Sequence, residues 1–188
     1  MEKATKDGRP VPTDTVGRDY KNRTKRGAMT KLIYLASPYS HDDPRVVEAR
    51  FRAACMAAAE LMLRGYVVFS PIAHSHPVAE HGGIDPTHDF NWLSFDLPLL
   101  ARCDEVRVLC IPGAVESIGI KAEVTEALRL GIPVQNMLPS DAICKVLAEA
   151  EGAPETAYRY TMQYQFDQLH YAWAAFTEAL LNAIKIRR

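Results

Sequence analysis

A chain of 188 residues, 48% of them apolar, can bury a sizeable core and fits one domain with appendages, which argues against a second full domain. Its formal net charge of −1 excludes a whole-chain electrostatic attraction to nucleic acid or to an anionic membrane, so small ligands become the expected partners. Four cysteines, Cys55, Cys103, Cys110 and Cys144, stand in apolar patterns without C-x-x-C spacing, as the reduced thiols of a cytoplasmic protein do, and neither a disulfide framework nor a zinc site is expected.

Residues 1–29 carry Lys3, Lys6, Arg9, Arg18, Lys21, Arg23, Lys25 and Arg26 and almost no large aliphatic side chains, a composition that reads as a flexible tail. A basic arm for nucleic acid is the alternative, disfavoured because Asp7, Asp14 and Asp19 dilute the charge. Charges also occupy the place of a signal peptide's apolar core, and no apolar run approaches the roughly 18 residues of a membrane span. A cytosolic location without a membrane partner follows as the expectation.

The main domain is expected over residues 30–152. Lys31 to Ala36 is an apolar run that reads as a buried strand leaving the sheet at Ser37-Pro38-Tyr39-Ser40. From Pro44 to Arg64, Val47, Phe51, Ala54, Cys55, Ala58, Leu61 and Met62 recur at helical spacing, with Pro44 in the first turn and Gly65 as the stop. Tyr66 to Ser70 is a second strand halted by Pro71, which completes a βαβ unit. Ile72 to Thr87, with His74, His76, His81, Gly82, Gly83, Asp85 and Pro86, reads as a long polar loop or lid. Asp89 to Ala101 has helical spacing, and Pro98 predicts a break or a kink in it. Glu105 to Ile111 is a strand, a helix follows Ser117 and stops at Gly131, a further strand begins at Ile132-Pro133-Val134, and Ala142 to Ala150 is a short helix. Residues 153–188 form a C-terminal helical extension whose aromatics, Tyr158 to Phe176, read as core or oligomer contact.

The densest chemistry lies in Glu116 to Glu123. Ser117 ends a βα loop and can cap the next helix, leaving its first N–H groups to face an anion, while Gly119 lets a ligand approach the backbone and Glu123 follows one turn in. The ordinary reading of the same residues is a capped helix with a surface glutamate. His74, His76, His81 and His88, with Asp85 and Asp89, are open to a metal reading, yet exposed or substrate-facing loop histidines explain them without an ion. Arg45, Arg50 and Arg52 read as a solvated helix face within reach of a phosphate, Glu126 and Arg129 as a surface pair.

Taken in order, Tyr34-Leu35-Ala36-Ser37-Pro38-Tyr39-Ser40-His41, Gly65 to Pro71, Ser75-His76-Pro77, Asp96, Cys103-Asp104-Glu105-Val106 and Ser117 to Glu123 resemble the nucleoside 2-deoxyribosyltransferase-like superfamily, over about residues 31–134. The nearest likeness is to a bacterial and phage branch with the Ala-Ser-Pro-Tyr-Ser-His opening. The resemblance implies a flavodoxin-like α/β three-layer sandwich with a parallel sheet, without cofactor or metal, cleaving the N-glycosidic bond of a nucleoside or nucleotide through a glutamate. By position Glu123 would be that nucleophile. Asp96 would handle the leaving base or position the nucleophile, and Tyr34 would orient the glutamate. Ser37, Pro38, Tyr39, His76, Ser117 and Gly119 would contact substrate. Where nucleoside transferases of this superfamily have aspartate for the free 5′-hydroxyl, this chain has Ser117, as the hydrolases of deoxynucleoside 5′-monophosphates do. The resemblance also implies a homo-oligomer, a dimer or larger, with neighbouring subunits closing each site. A nucleotide-sensing module without turnover is the alternative that the same residues would serve.

Overall fold

The computed structural model describes residues 30–84, 91–154 and 166–168. Its order is β1 (Leu32–Ala36), α1 (Pro44–Leu63), β2 (Val67–Phe69), α2 (Pro71–Gly82), α3 (Trp92–Leu100), β3 (Glu105–Leu109), α4 (Ile118–Leu130), β4 (Val134–Met137) and α5 (Asp141–Glu151). The four strands form one sheet in the order β2-β1-β3-β4, every pairing parallel. This is the flavodoxin-like doubly wound order, and its strand succession reverses between β1 and β3, where such sheets open a crevice at the carboxyl ends of their strands.

Alternation along β1 sorts its side chains between two cores. Ile33 and Leu35 face α1 and α5, packing with Ala53, Ala57, Leu61, Ile143 and Leu147, while Tyr34 and Ala36 face α3 and α4, packing with Leu100, Val106, Val108, Ile120 and Val124. Each face of the sheet is thereby covered, which is why β1 reads as a nearly continuous apolar run, while β3 alternates Glu105 and Arg107 with Val106 and Val108 before turning apolar at Leu109. Alanines 49, 53, 54, 57 and 58, all buried, let α1 lie close to the sheet and to α5. Ser140, at the start of α5, donates its hydroxyl to Glu60 Oε1 at 2.6 Å and ties the two helices together. Glu105, inside the sheet, is held by Lys31 Nζ at 2.9 Å and Arg107 Nε at 2.7 Å.

The stretch after β2 departs from the expected loop. Residues Pro71–Gly82 are helical because Ser70 caps the first turn by accepting the Ala73 N–H, Pro71 sits where a missing N–H costs nothing, and Gly83 ends the helix at φ +64°. Pro98 likewise stands inside α3 without ending it. The N-terminal tail, Asp85 to Phe90 including His88, and the aromatics Tyr158, Tyr160, Tyr164, Tyr171, Trp173 and Phe176 lie outside the described residues. Phe166 rests against the core on the α3 and α4 side of the sheet. Among the described residues no helix is long and apolar enough to cross a membrane.

Candidate active site

A cleft of about 510 Å³ opens beyond the carboxyl ends of β1 and β3. One wall is the loop after β1, with Ser37, Pro38, Tyr39 and Ser40; the opposite wall is the β3–α4 connection and the first turns of α4, with Gly113, Glu116, Ser117, Gly119 and Glu123; α2 and α3 add His76, Trp92 and Asp96. All the residues singled out for substrate or chemistry line it except Tyr34, which lies beneath it in β1.

Tyr34 is wholly buried and donates its hydroxyl to Glu123 Oε1 at 2.7 Å. The pairing joins residues 89 apart in sequence: β1 directs Tyr34 toward α4, and the helical period puts Glu123 on the inward face with Ile120, Val124 and Ala127. Only 7% of Glu123 and 5% of Asp96 are exposed, so Glu123 is not the surface glutamate of the ordinary reading, and Asp96 is buried likewise. Burial pushes the Glu123 carboxyl up to about 8 against the pull of the Tyr34 hydrogen bond, and the nearby Asp96 charge adds to the rise. Burial raises Asp96 to about 6. The Tyr34 hydroxyl is held neutral, first by burial and then by the Glu123 charge. Among the described residues, Asp96 Oδ1 and Ser37 Oγ are buried without a hydrogen-bond partner, two polar atoms at one cleft.

Ser117 does cap α4, accepting the Ile120 N–H at 3.2 Å. The N-terminal end of a 13-residue helix therefore faces the cleft, a natural seat for negative charge. A Cβ added at Gly119 would meet only Ser117 Oγ, at 3.8 Å, so internal packing does not demand glycine there. His76 is built into the rim: its ring stacks on Phe51 at 4.0 Å, its Nδ1 is 2.9 Å from the Tyr39 hydroxyl, and its Nε2 lies 3.5 Å from Glu48 and 3.9 Å from Glu80. His74 instead stacks on Phe95. Among the described residues no three histidine, cysteine or carboxylate side chains converge as a metal set.

Arg50 corrects the expectation of a solvated arginine. It is 5% exposed and lines the cleft, donating to the Ser40 carbonyl and, at 2.9 Å, to the Pro112 carbonyl. The signal was present in the period, since Val46, Arg50, Ala54 and Ala58 share the buried face of α1. Trp92 is a further cleft residue that the sequence reading passed over, and Glu116, which opens the stretch singled out at the start of α4, was given no role there although it lines the cleft. The surface pair is as expected, with Arg129 Nε 2.7 Å from Glu126 Oε2.

No curated protein matches the chain. The family model described as "Domain of unknown function (DUF1937)" matches residues 31–138, from the start of β1 to just past the end of β4, and thus takes in the sheet and every cleft residue. On that match, which spans more than half of its length, the chain belongs to the DUF1937 family.

Proposed function

We propose that this protein cleaves the N-glycosidic bond of a (deoxy)nucleoside 5′-monophosphate or nucleoside, with Glu123 as the nucleophile and hydrolysis favoured over deoxyribosyl transfer. The observation that carries the reading is the buried Tyr34, Glu123 and Asp96 group at the floor of a cleft whose wall is a capped helix N-terminus. Two buried carboxyl groups of unequal acidity are costly to stability and are found where acid and base work is done. The resemblance to the nucleoside 2-deoxyribosyltransferase-like superfamily supplies the bond.

At neutral pH the pair shares one proton, and burial raises Glu123 further than Asp96. As the bond from the anomeric carbon to the base nitrogen lengthens, the developing oxocarbenium charge favours the Glu123 carboxylate. The proton passes to Asp96 and on to the departing base, which takes the electron pair of the broken bond, while a Glu123 oxygen bonds the anomeric carbon. In the second step a water oxygen displaces Glu123 from the sugar, Asp96 accepts the water's proton, and the pair returns to its starting state. An acceptor base in place of water gives transfer. Tyr34 holds the attacking carboxyl throughout through the 2.7 Å bond. Ser117, the α4 N-terminus and Ser37 suit a 5′-phosphate, which a carboxylate at position 117 would repel.

The test is a chromatographic assay of ribo- and deoxynucleosides and their 5′-monophosphates, with and without an acceptor base, beside a Glu123→Ala variant. Free base from a monophosphate with the parent and none with the variant is the expected result. Nucleotide binding without any release of base would instead assign the cleft to sensing.

A further inference from the structure

Arg50 reaches from the second turn of α1 to both walls of the cleft. One guanidinium nitrogen donates to the Ser40 carbonyl in the loop after β1, and the other donates at 2.9 Å to the Pro112 carbonyl in the loop after β3. These loops belong to the strands that flank the reversal of strand order, and no β-ladder runs between them beyond Ala36 and Val108. Their spacing at the cleft is therefore not set by the sheet alone. A planar, permanently charged fork can hold two carbonyls in fixed directions, which a lysine ammonium cannot do.

Gly113 completes the arrangement. A Cβ there would lie 2.5 Å from Arg50 Nη2, closer than real side chains come, and a tight 3.1 Å from Cζ, and its φ of +89° is one that other residues adopt only under strain. The clash is with the end of the Arg50 side chain, so a Cβ there would displace the guanidinium from the place in which it donates to the Pro112 carbonyl.

We infer that Arg50 is a positioning residue: its guanidinium clips the loop after β1 to the loop after β3 and sets the width of the cleft between Ser37 and Ser117, and Gly113, which its φ already calls for, leaves the room it needs. Its effect on turnover rests on the glycosidase reading; the clip itself does not.

Amide hydrogen exchange on the full chain tests the clip directly, with Arg50→Lys, Arg50→Gln, Gly113→Ala and the Arg50→Gln/Gly113→Ala pair. In every single variant, exchange rises about tenfold in both segments, residues 37–43 and 113–119, while β1, β3 and α5 keep the parent rates. The two changes combine less than multiplicatively, because the short glutamine vacates the space that the added methyl needs. Acceleration confined to one loop, a uniform rise across the chain, or fully multiplicative effects would overturn the clip. In the nucleotide assay, Arg50→Lys is expected to raise KM for the monophosphate about tenfold with kcat within about threefold of the parent, since Tyr34, Asp96 and Glu123 are held by other elements. A kcat loss with unchanged KM would remove the link from clip to binding. Coupled exchange with no turnover in the parent would leave the clip standing and refute the glycosidase.

Discussion

Replacing Glu123 by glutamine keeps an oxygen for the Tyr34 hydroxyl but removes a proton that folding holds far above its ordinary acidity. Glutamate ordinarily titrates near 4.5, whereas in the folded chain Glu123 titrates at about 8, chiefly because it is buried. Between those values the folded state keeps a proton that the unfolded chain has released. The unfolded state binds fewer protons, so stability falls as pH rises, by at most about 1.4 kcal/mol per pH unit. By pH 8 the loss is a few kcal/mol, with an upper bound of about 5 kcal/mol. Below 4.5 both states are protonated and the effect vanishes. Asp96, raised by burial from 3.8 to about 6, adds a similar decline at lower pH that both proteins share. Urea unfolding of parent and Glu123→Gln, followed by circular dichroism at pH of about 5, 6.5 and 8, reads the difference from the midpoints. The variant is expected to lie close to the parent at the lowest pH and to exceed it by a few kcal/mol at the highest, the pattern of a residue kept for function at the expense of stability. A gap that stays constant with pH, or a variant less stable at the highest pH, would refute the buried protonated glutamate.

The pH profile of kcat/KM is expected to be a bell with limbs near 6 and 8, because only the singly protonated pair is active. Tyr34→Phe removes a bond that favours the Glu123 carboxylate and moves the alkaline limb up, whereas Asp96→Asn, which also removes the proton carrier and with it turnover, takes away a like charge and lowers the Glu123 titration as read from the pH dependence of the urea midpoints; shifts in the same direction would sink the assignment. Ser117→Ala loses the cap on Ile120 and about 1 kcal/mol of stability, and weakens binding of a monophosphate more than of its nucleoside; equal weakening in calorimetric titrations would remove the phosphate from this helix. Leu61→Ala, at a fully buried position between α1 and the sheet, is expected to cost about 2–5 kcal/mol in the same urea assay with the pH profile unmoved. Sedimentation of the purified chain is expected to give a dimer or larger, and a monomer at working concentration would end the notion of sites completed by neighbours.

The strands and most helices were legible because their signals are local. The apolar run at Leu32–Ala36, the alternation that enters Glu105–Leu109, the Pro44 and Ser117 starts and the Gly131 stop lie where their elements begin and end. The helix at Pro71–Gly82 was missed because histidine, serine, proline and paired glycines look like a loop, although the Ser70-Pro71 start and the Gly83 stop are written in it. At the site, Ser117, Gly119 and Glu123 were legible as residue types following a strand, whereas Tyr34 and Asp96 were reached only through the family resemblance. Their relations were not legible: the Tyr34 to Glu123 bond, the burial of Asp96 and the inward turn of Arg50 arise only when segments tens of residues apart pack together. A carboxyl's acidity is a property of that packing, and no spacing encodes it.

Among the described strands the sheet ends on one side at β2, three residues long, and on the other at β4, with four. Such brief borders offer an incoming strand only a handful of backbone partners, and Ser70 turns the chain into a helix directly after the first of them. A continuous sheet running from one copy into the next would gain little there. Self-association of this chain, where it occurs, is thus steered toward contacts between helices, and stacking into fibrils is discouraged by the same economy of strand length.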